Sequence, residues 1–270
     1  TGVNNVALGN GTLYYNTEGI FNTALGYRSL GGNTTGNRNT AIGEKAMLSN
    51  TIGENNVAVG EKALYSNISG NNNSALGVGA LFSNTTGIEN VAVGKNALNT
   101  NTEGDGNVGV GSYSLHQNTT GGNNAAIGLN ALFANTTGDD NVAIGKHALQ
   151  LNTEGHSNVG VGNMALGSNT TGQLNVAVGI NALFTNQSGR FNVAVGESAL
   201  LNSNTDRNTA VGYEALTTNV TGTTCTAVGW NALKLNTADV LIVTGYYPRC
   251  LEFSSSSNHQ QQLFLKIISR

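Results

Sequence analysis

The chain has 270 residues, enough for one large domain or two ordinary ones. Charged residues make up only 10% of it, against about 25% in typical globular domains, while glycine fills 37 positions and proline one. Twelve Lys and Arg residues and a net charge of −3 provide no basic surface for nucleic acid, and a net charge this low is unlike that of a disordered chain. No apolar run approaches the roughly 18 residues of a membrane span, so we expect no membrane insertion by this chain.

A unit of 17 residues recurs from the start of the chain, each copy beginning one residue before the pattern x-Ala-x-Gly. One residue is missing in the twelfth copy. The fourteen units, called coils 1 to 14 below, begin at Asn5, Asn22, Asn39, Asn56, Asn73, Asn90, Asn107, Asn124, Asn141, Asn158, Asn175, Asn192, Asn208 and Cys225.

Six positions of the unit hold nearly constant residue types. The third is Ala or Gly, the fourth is always aliphatic, the fifth is Gly in all fourteen copies, and the ninth is Leu in thirteen. Asn fills the twelfth position in thirteen copies, and Gly fills the fifteenth in twelve. Two Gly columns limit any helix to a turn or two, and 17 residues cannot hold two helices with their turns.

The pattern therefore predicts an all-β fold, a parallel β-solenoid or β-roll of about 14 coils with two short strands in each. Corners are expected where Gly permits positive φ or close backbone approach. In coil 4 these corners are Asn56, Gly60, Asn67 and Gly70. At a coil spacing of about 4.8 Å the rod is about 65 Å long, and its stacked Asn side chains form hydrogen-bonded ladders.

Alternation in the strand "NVAV" places its two valines on one face and Ala58 on the other. We predict an apolar core that includes Val59, Leu64, Val93 and Leu98. The small residues then form an outer stripe against which another chain packs, which predicts a homo-oligomer, most simply a trimer. That stripe contains Ala58, Ala92, Ala126 and Ala143. The alternative is that alanine lines the interior of the coil while valine faces outward.

The repeats predict a solenoid domain over residues 1–236. Residues 237–270 are expected to hold a degenerate last repeat, in which Gly245 stands where a corner Gly would, followed by a C-terminal tail or cap.

No arrangement of residues predicts catalysis, a cofactor or a metal. His116, His147, His156 and His259 fall in different columns with no cysteine or carboxylate at ligand spacing, and Asp139–Asp140 has no acidic counterpart in neighbouring coils. The glycine-rich stretch from Gly109 is explained by the repeat. We therefore expect a non-enzymatic protein without cofactor or metal.

Two columns suggest surface roles. Aromatic residues at the tenth position (Tyr65, Phe82, Phe133 and Phe184) would stack on sugar rings if exposed, or else pack against neighbouring coils or chains. Threonine dominates the thirteenth column, as an ice-binding face would require.

Ten N-x-Ser/Thr sequons, most of them within the twelfth-column Asn pattern, would be glycosylated in a eukaryotic secretory pathway unless the ladder occupies them.

Three stretches carry a resemblance to known proteins: "NTAIGEKAM" at 39–47, "NVAVGEKAL" at 56–64 and "NTAVGYEALTTNVTG" at 208–222. They resemble the head repeats of trimeric autotransporter adhesins, and similar arrays in tail-fibre proteins of bacteriophages and other large viruses. The resemblance covers residues 5 to about 236, although the adhesin repeat is shorter. It implies a left-handed β-roll trimer that is extracellular, on a cell surface or on a virion.

These features predict a structural or adhesive fibre segment that presents repeated weak binding surfaces to a host surface, glycan or matrix. The alternative is a self-assembling extracellular filament whose chains stack end to end. An ice-binding solenoid is the third hypothesis.

Overall fold

The computed structural model describes residues 2–236 and 239–245, and these residues form a parallel β-solenoid in which each coil contributes one three-residue strand. No helix occurs in the described residues. The strands are β1 (Val6–Leu8), β2 (Thr23–Leu25), β3 (Thr40–Ile42), β4 (Val57–Val59), β5 (Ser74–Leu76), β6 (Val91–Val93), β7 (Val108–Val110), β8 (Ala125–Ile127), β9 (Val142–Ile144), β10 (Val159–Val161), β11 (Val176–Val178), β12 (Val193–Val195), β13 (Thr209–Val211), β14 (Thr226–Val228) and β15 (Ile242–Thr244).

The strands form one 15-stranded sheet in sequence order. Each strand pairs in parallel with the strand one coil later, so that Ala58 lies beside Ala75 and every column becomes a ladder of equivalent residues. The degenerate last repeat continues this order, because β15 pairs with β14 and Gly245 has the same positive φ (138°) as the corner glycines. The rest of the predicted tail or cap lies outside the described residues.

The prediction of two strands in each coil is wrong. The seventh and ninth positions adopt left-handed φ, as at Lys62 (54°) and Leu64 (52°), so the segment between them cannot extend. Its backbone still bonds to the next coil, since the Leu64 amide donates to Ala80 (2.9 Å) and the Ser66 amide to Phe82 (3.0 Å). These inter-coil bonds offset the roughly 1–2 kcal/mol that each left-handed non-glycine residue costs.

The predicted orientation of the strands is also wrong. Ala58, Ala92, Ala126 and Ala143 are completely buried inside the coil, so they cannot form an inter-chain stripe. Val59 and Val93 are half-buried on the outer face and do not belong to the core. The predicted core residues Leu64 and Leu98 are completely buried.

The thinness of the coil explains this inversion. At Gly160, which stands in the alanine column, an added Cβ would lie 3.4 Å from Leu149 of the preceding coil and 3.2 Å from the Ala165 carbonyl oxygen. A methyl group fills that space and a valine side chain would overfill it. Alanine therefore faces the leucine column, and the β-branched residues point outward.

The predicted asparagine ladders are present in the interior. The Asn67 side-chain amide donates to Asn50 Oδ1 of the preceding coil (2.7 Å) and to the Gly70 carbonyl (2.9 Å), which also accepts a bond from Asn56 (2.8 Å). Asn56 Oδ1 in turn accepts from the Asn73 amide (2.9 Å). The two asparagine columns thus supply the hydrogen bonds that a buried corner needs.

The two glycine columns serve these corners for different reasons. Gly60 has φ of 137°, a conformation that only glycine adopts readily. Gly70 has no left-handed φ, but a Cβ there would collide with the Gly87 carbonyl oxygen and with Asn67 Oδ1. The first column is therefore fixed by backbone conformation and the second by close approach.

The missing residue in coil 12 is compensated by a side chain. In coil 11 the carbonyl of Gln187 accepts bonds from three successive amides of coil 10. The corresponding amides of coil 11 instead reach the side-chain oxygen of Asn204, at 2.8 Å from Gln187 N, 2.9 Å from Ser188 N and 3.4 Å from Gly189 N. An asparagine side chain thus replaces a backbone carbonyl and keeps the coils in register.

Candidate interaction surfaces

The outer side of the sheet is an uninterrupted row of uncharged residues. The second position of the coil holds Val, Thr, Ser or Ala, and the fourth holds Val, Ile or Leu. We call the outward residues at these two positions of coils 1 to 14 the aliphatic face. Leu76, Ile127 and Val178, at the fourth position, are 50%, 43% and 37% exposed.

This face is a continuous apolar stripe on the described surface. It follows the rod for about 65 Å at a rise of about 4.8 Å per coil. Contiguous apolar patches larger than a few hundred Å² are rare on monomeric proteins and mark sites of association. The sequence reveals this stripe as the invariant aliphatic fourth column, but not that it faces outward.

The aromatic residues of the tenth column pack along the rod. Tyr65 and Phe82 stack with centroids 4.9 Å apart and planes 5° from parallel, while Phe133 stacks on His116 at 5.2 Å. Phe184 lies over Gly167, where an added Cβ would be 2.9 Å from its ring. All four predicted recognition residues are half-buried, and these contacts occupy ring faces. Their role in recognition stays a prediction.

The tenth column has a gap in coil 2 that sequence reasoning missed. Gly31 and Gly32 occupy the tenth and eleventh positions, where the adjacent coils carry larger residues. The gap belongs to a hollow of about 610 Å³, which is lined by Asn10, Gly11, Tyr14, Tyr15, Tyr27, Arg28, Gly31, Gly32 and Leu48. The two adjacent glycines were the signal in the sequence.

A second, smaller hollow of about 310 Å³ opens at Gly79, beside Phe82. Its polar groups already have partners: Lys62 pairs with Glu61 at 2.8 Å, and Asn99 donates to the Gly79 carbonyl at 2.9 Å. These internal bonds leave it less suited to a polar ligand than the hollow in coil 2.

Threonine hydroxyls of the thirteenth column bind protein. Thr119 Oγ1 donates to the Thr136 carbonyl at 2.9 Å, and Thr136 Oγ1 donates to the Thr153 carbonyl at 3.0 Å. These hydroxyl groups donate their hydrogen bond to the next coil, so they cannot also donate one to an ordered water layer. This arrangement weakens the ice-binding hypothesis.

The ladder occupies most of the sequons. Asn33, Asn84, Asn118, Asn135 and Asn169 are completely buried, and their side-chain amides donate to neighbouring coils. Asn72, by contrast, is exposed. A glycan on one of the buried amides would be incompatible with the stacked coil.

The titratable groups do not assemble into a site within the part of the chain described. No three His, Cys, Asp or Glu residues there lie close enough to hold a metal ion, and His259 is outside that part. The hydrogen bond and charge of Lys45 lower the pKa of Glu44, and Glu61 likewise raises the pKa of Lys62. Burial raises the pKa of the Cys225 thiol.

Comparison with known proteins assigns no family to the chain, so its structural class rests on the fold alone. No protein-family model, curated protein or solved structure matches the chain. Among the described residues there is also no helix with the length and hydrophobicity needed to cross a bilayer. The fold and its surface define a parallel β-solenoid rod with one exposed aliphatic sheet face.

Proposed function

We propose that this chain is a non-enzymatic segment of an adhesive fibre, outside the cell or on a virion. Three copies associate side by side through their aliphatic faces, and the remaining sides of the rod present repeated weak binding surfaces to a host surface, glycan or matrix. The observation that carries the proposal is the aliphatic face, which runs along all the coils without a charged residue.

The exposed area supports association of this kind. Complete burial of an aliphatic side chain contributes about 1.5–3 kcal/mol, so covering the 36–50% still exposed at the fourth position of Val211 or Leu76 contributes about 0.5–1.5 kcal/mol. Eight fourth-position residues are at least 36% exposed, and together they give about 4–12 kcal/mol for each chain. Association costs about 4–15 kcal/mol, so burial of this face is of the size that a complex requires.

A second copy of the chain fits this face better than an unrelated partner. The face has no charge to match and only scattered Thr and Ser hydroxyls at the second position, but it repeats at a fixed rise that a parallel copy reproduces coil for coil. It is also narrow, about 7 Å between second and fourth positions. Faces this narrow allow three copies to meet around one axis, which favours a trimer.

Repetition explains how weak contacts become adhesive. The sixth, seventh, tenth, eleventh, sixteenth and seventeenth columns vary from coil to coil and carry most of the exposed aromatic and charged residues. Rigid spacing makes the second and later contacts intramolecular, so avidity exceeds the affinity of any one contact.

Sedimentation equilibrium at micromolar protein tests the proposal. We expect three times the chain mass, independent of concentration, and the monomer mass for the double variant Val93→Glu/Ile127→Glu. A matched control, Thr120→Ala/Thr137→Ala on the exposed fourteenth column, should keep the wild-type mass. Polymers that grow with concentration would favour the end-to-end filament, and a wild-type monomer would refute the proposal. Beads coated with wild type should adhere to host cells at least tenfold better than beads coated with the monomeric variant.

A further inference from the structure

The hollow of about 610 Å³ beside Gly31 and Gly32, called the slot below, has room for one ring. Gly31 itself is buried, and an added Cβ there would lie 3.2 Å from Leu48 Cδ1 of coil 3 and 3.2 Å from the Gly11 carbonyl oxygen of coil 1. The open space therefore lies outside the glycines, among the side chains of coils 1 to 3 that line the hollow.

The walls of the slot offer apolar surface. Tyr14 and Tyr15 stand on one side with centroids 4.8 Å apart and planes at 86°, so together they present a ring face and a ring edge. Leu48 stands on the opposite side. Aromatic rings bind the apolar C–H face of a pyranose, and the tyrosine hydroxyls remain available to its polar rim.

Polar groups beside the slot are available to a ligand. Arg28 and Asn10 line the hollow, are exposed, and have no side-chain hydrogen bond or ion pair among the described residues. Lys45, one coil away, is instead paired with Glu44 at 2.9 Å. No acidic residue lines the hollow.

The charge of Arg28 selects the kind of ring. A guanidinium binds a carboxylate through two parallel hydrogen bonds, and the absence of lining carboxylates leaves this charge uncompensated within the hollow. A ring that carries its own carboxylate would supply the missing charge while its apolar face contacts the tyrosines.

We propose that this slot binds a carboxylate-bearing pyranose, the uronic or sialic acid unit of an acidic surface glycan. The inference rests on the proposed adhesive function and names the ligand class for one of its binding surfaces. Tyr14, Tyr15 and Leu48 hold the ring, and Arg28 binds the carboxylate.

The full chain is titrated with methyl β-glucuronide and with the neutral methyl β-glucoside, and ligand contacts are followed by saturation-transfer NMR. We expect the glucuronide to bind at least tenfold more tightly than the glucoside, because only the glucuronide offers a carboxylate to Arg28. Arg28→Gln should remove that difference, while Arg190→Gln, an exposed cation far along the rod, should preserve it.

Filling the slot tests its location. Gly31→Phe places an aromatic side chain in the tenth column, as in coil 5. Its Cβ lies 3.2 Å from Leu48 Cδ1, so the new ring must displace Leu48 into the slot and should abolish glucuronide binding. If this variant does not fold, Tyr14→Ala removes a wall without adding volume and should weaken binding at least fivefold. No binding by wild type, equal binding of both glycosides, or full binding by either slot variant would overturn the proposal.

Measuring the oligomer mass on the same samples separates the two hypotheses. A trimer that ignores glucuronide would refute only the slot, and a monomer that binds it would refute only the fibre assembly.

Discussion

Two neighbouring residues of strand β6 provide the sharpest test of which side of the sheet faces inward. Ala92 is completely buried, whereas Val93 is half-buried on the outer face. We therefore compare Ala92→Glu with Val93→Glu, two substitutions that add the same charge one residue apart.

The expected effects differ by several kcal/mol. In Ala92→Glu the new side chain overfills the interior, which costs about 1–3 kcal/mol, and its carboxyl group must be buried without a partner, which costs several kcal/mol more. We expect a loss of at least about 4 kcal/mol in the free energy of unfolding. In Val93→Glu the carboxylate reaches water, so the single chain should lose at most about 1 kcal/mol.

Urea unfolding followed by circular dichroism measures both variants, at protein concentrations low enough to keep them monomeric. Burial raises the folded-state pKa of the introduced carboxyl group in Ala92→Glu. Its destabilisation should therefore be full above the raised folded-state pKa. It should become smaller as the pH falls to about 3, well below the ordinary pKa of about 4.3, where the group is protonated in both states. Equal losses for the two variants, or a larger loss for Val93→Glu, would refute the inward placement of the alanine column.

Three further substitutions test the corners. Asn118→Ala removes three side-chain hydrogen bonds, with Asn101, Gly121 and Asn135, and should lower the free energy of unfolding by about 3–5 kcal/mol. Thr120→Ala on the surface should change it by at most about 0.5 kcal/mol in the same urea titration. Gly162→Ala should lower the free energy of unfolding by at least about 2 kcal/mol, because φ is 133° and the new Cβ would lie 2.5 Å from the Gly179 carbonyl oxygen. Gly160→Ala, in the alanine column, should change the free energy of unfolding by about 1 kcal/mol or less. Asn204→Ala leaves three backbone amides without their acceptor and should accelerate amide hydrogen exchange at coil 11, at a cost of about 2–3 kcal/mol.

Each of these predictions has a contrary result. Equal stabilities of Asn118→Ala and Thr120→Ala would show that the hydrogen bonds of the ladder stabilise the fold no more than hydrogen bonds to water do. Similar costs for the two glycine substitutions would contradict the separate roles of their columns. Unchanged exchange in Asn204→Ala would mean that coil 12 stays in register by other contacts.

Much of the fold follows from the sequence because the repeat reduces the problem to one coil. The invariant Gly60 column, the Leu64 column and the asparagine columns each have one physical interpretation, and the structure has them as corners, core and ladders. The alternation of Val57, Ala58 and Val59 fixes which residues share a face but not which face is inside. That choice depends on the interior volume left by the leucines.

The left-handed leucines and the slot were harder to predict. A bulky residue rarely adopts positive φ, so nothing in the sequence signals that Leu64 does so. The prediction of a second strand in each coil is wrong for that reason. The glycine pair at Gly31 and Gly32 is visible in the sequence, but the tyrosines and the arginine beside it become neighbours only once the coils are stacked.

Oxidative cross-linking tests lateral association through the aliphatic face most directly. In a parallel trimer closed around one axis, copies of the same fourth-position residue meet, so Ile127→Cys in a background lacking Cys225 and Cys250 should form disulfide-linked pairs of chains on mild oxidation. Thr137→Cys, on the exposed fourteenth column, should stay uncross-linked under the same conditions. Absence of cross-links at Ile127→Cys, or equal cross-linking at both positions, would contradict association through this face.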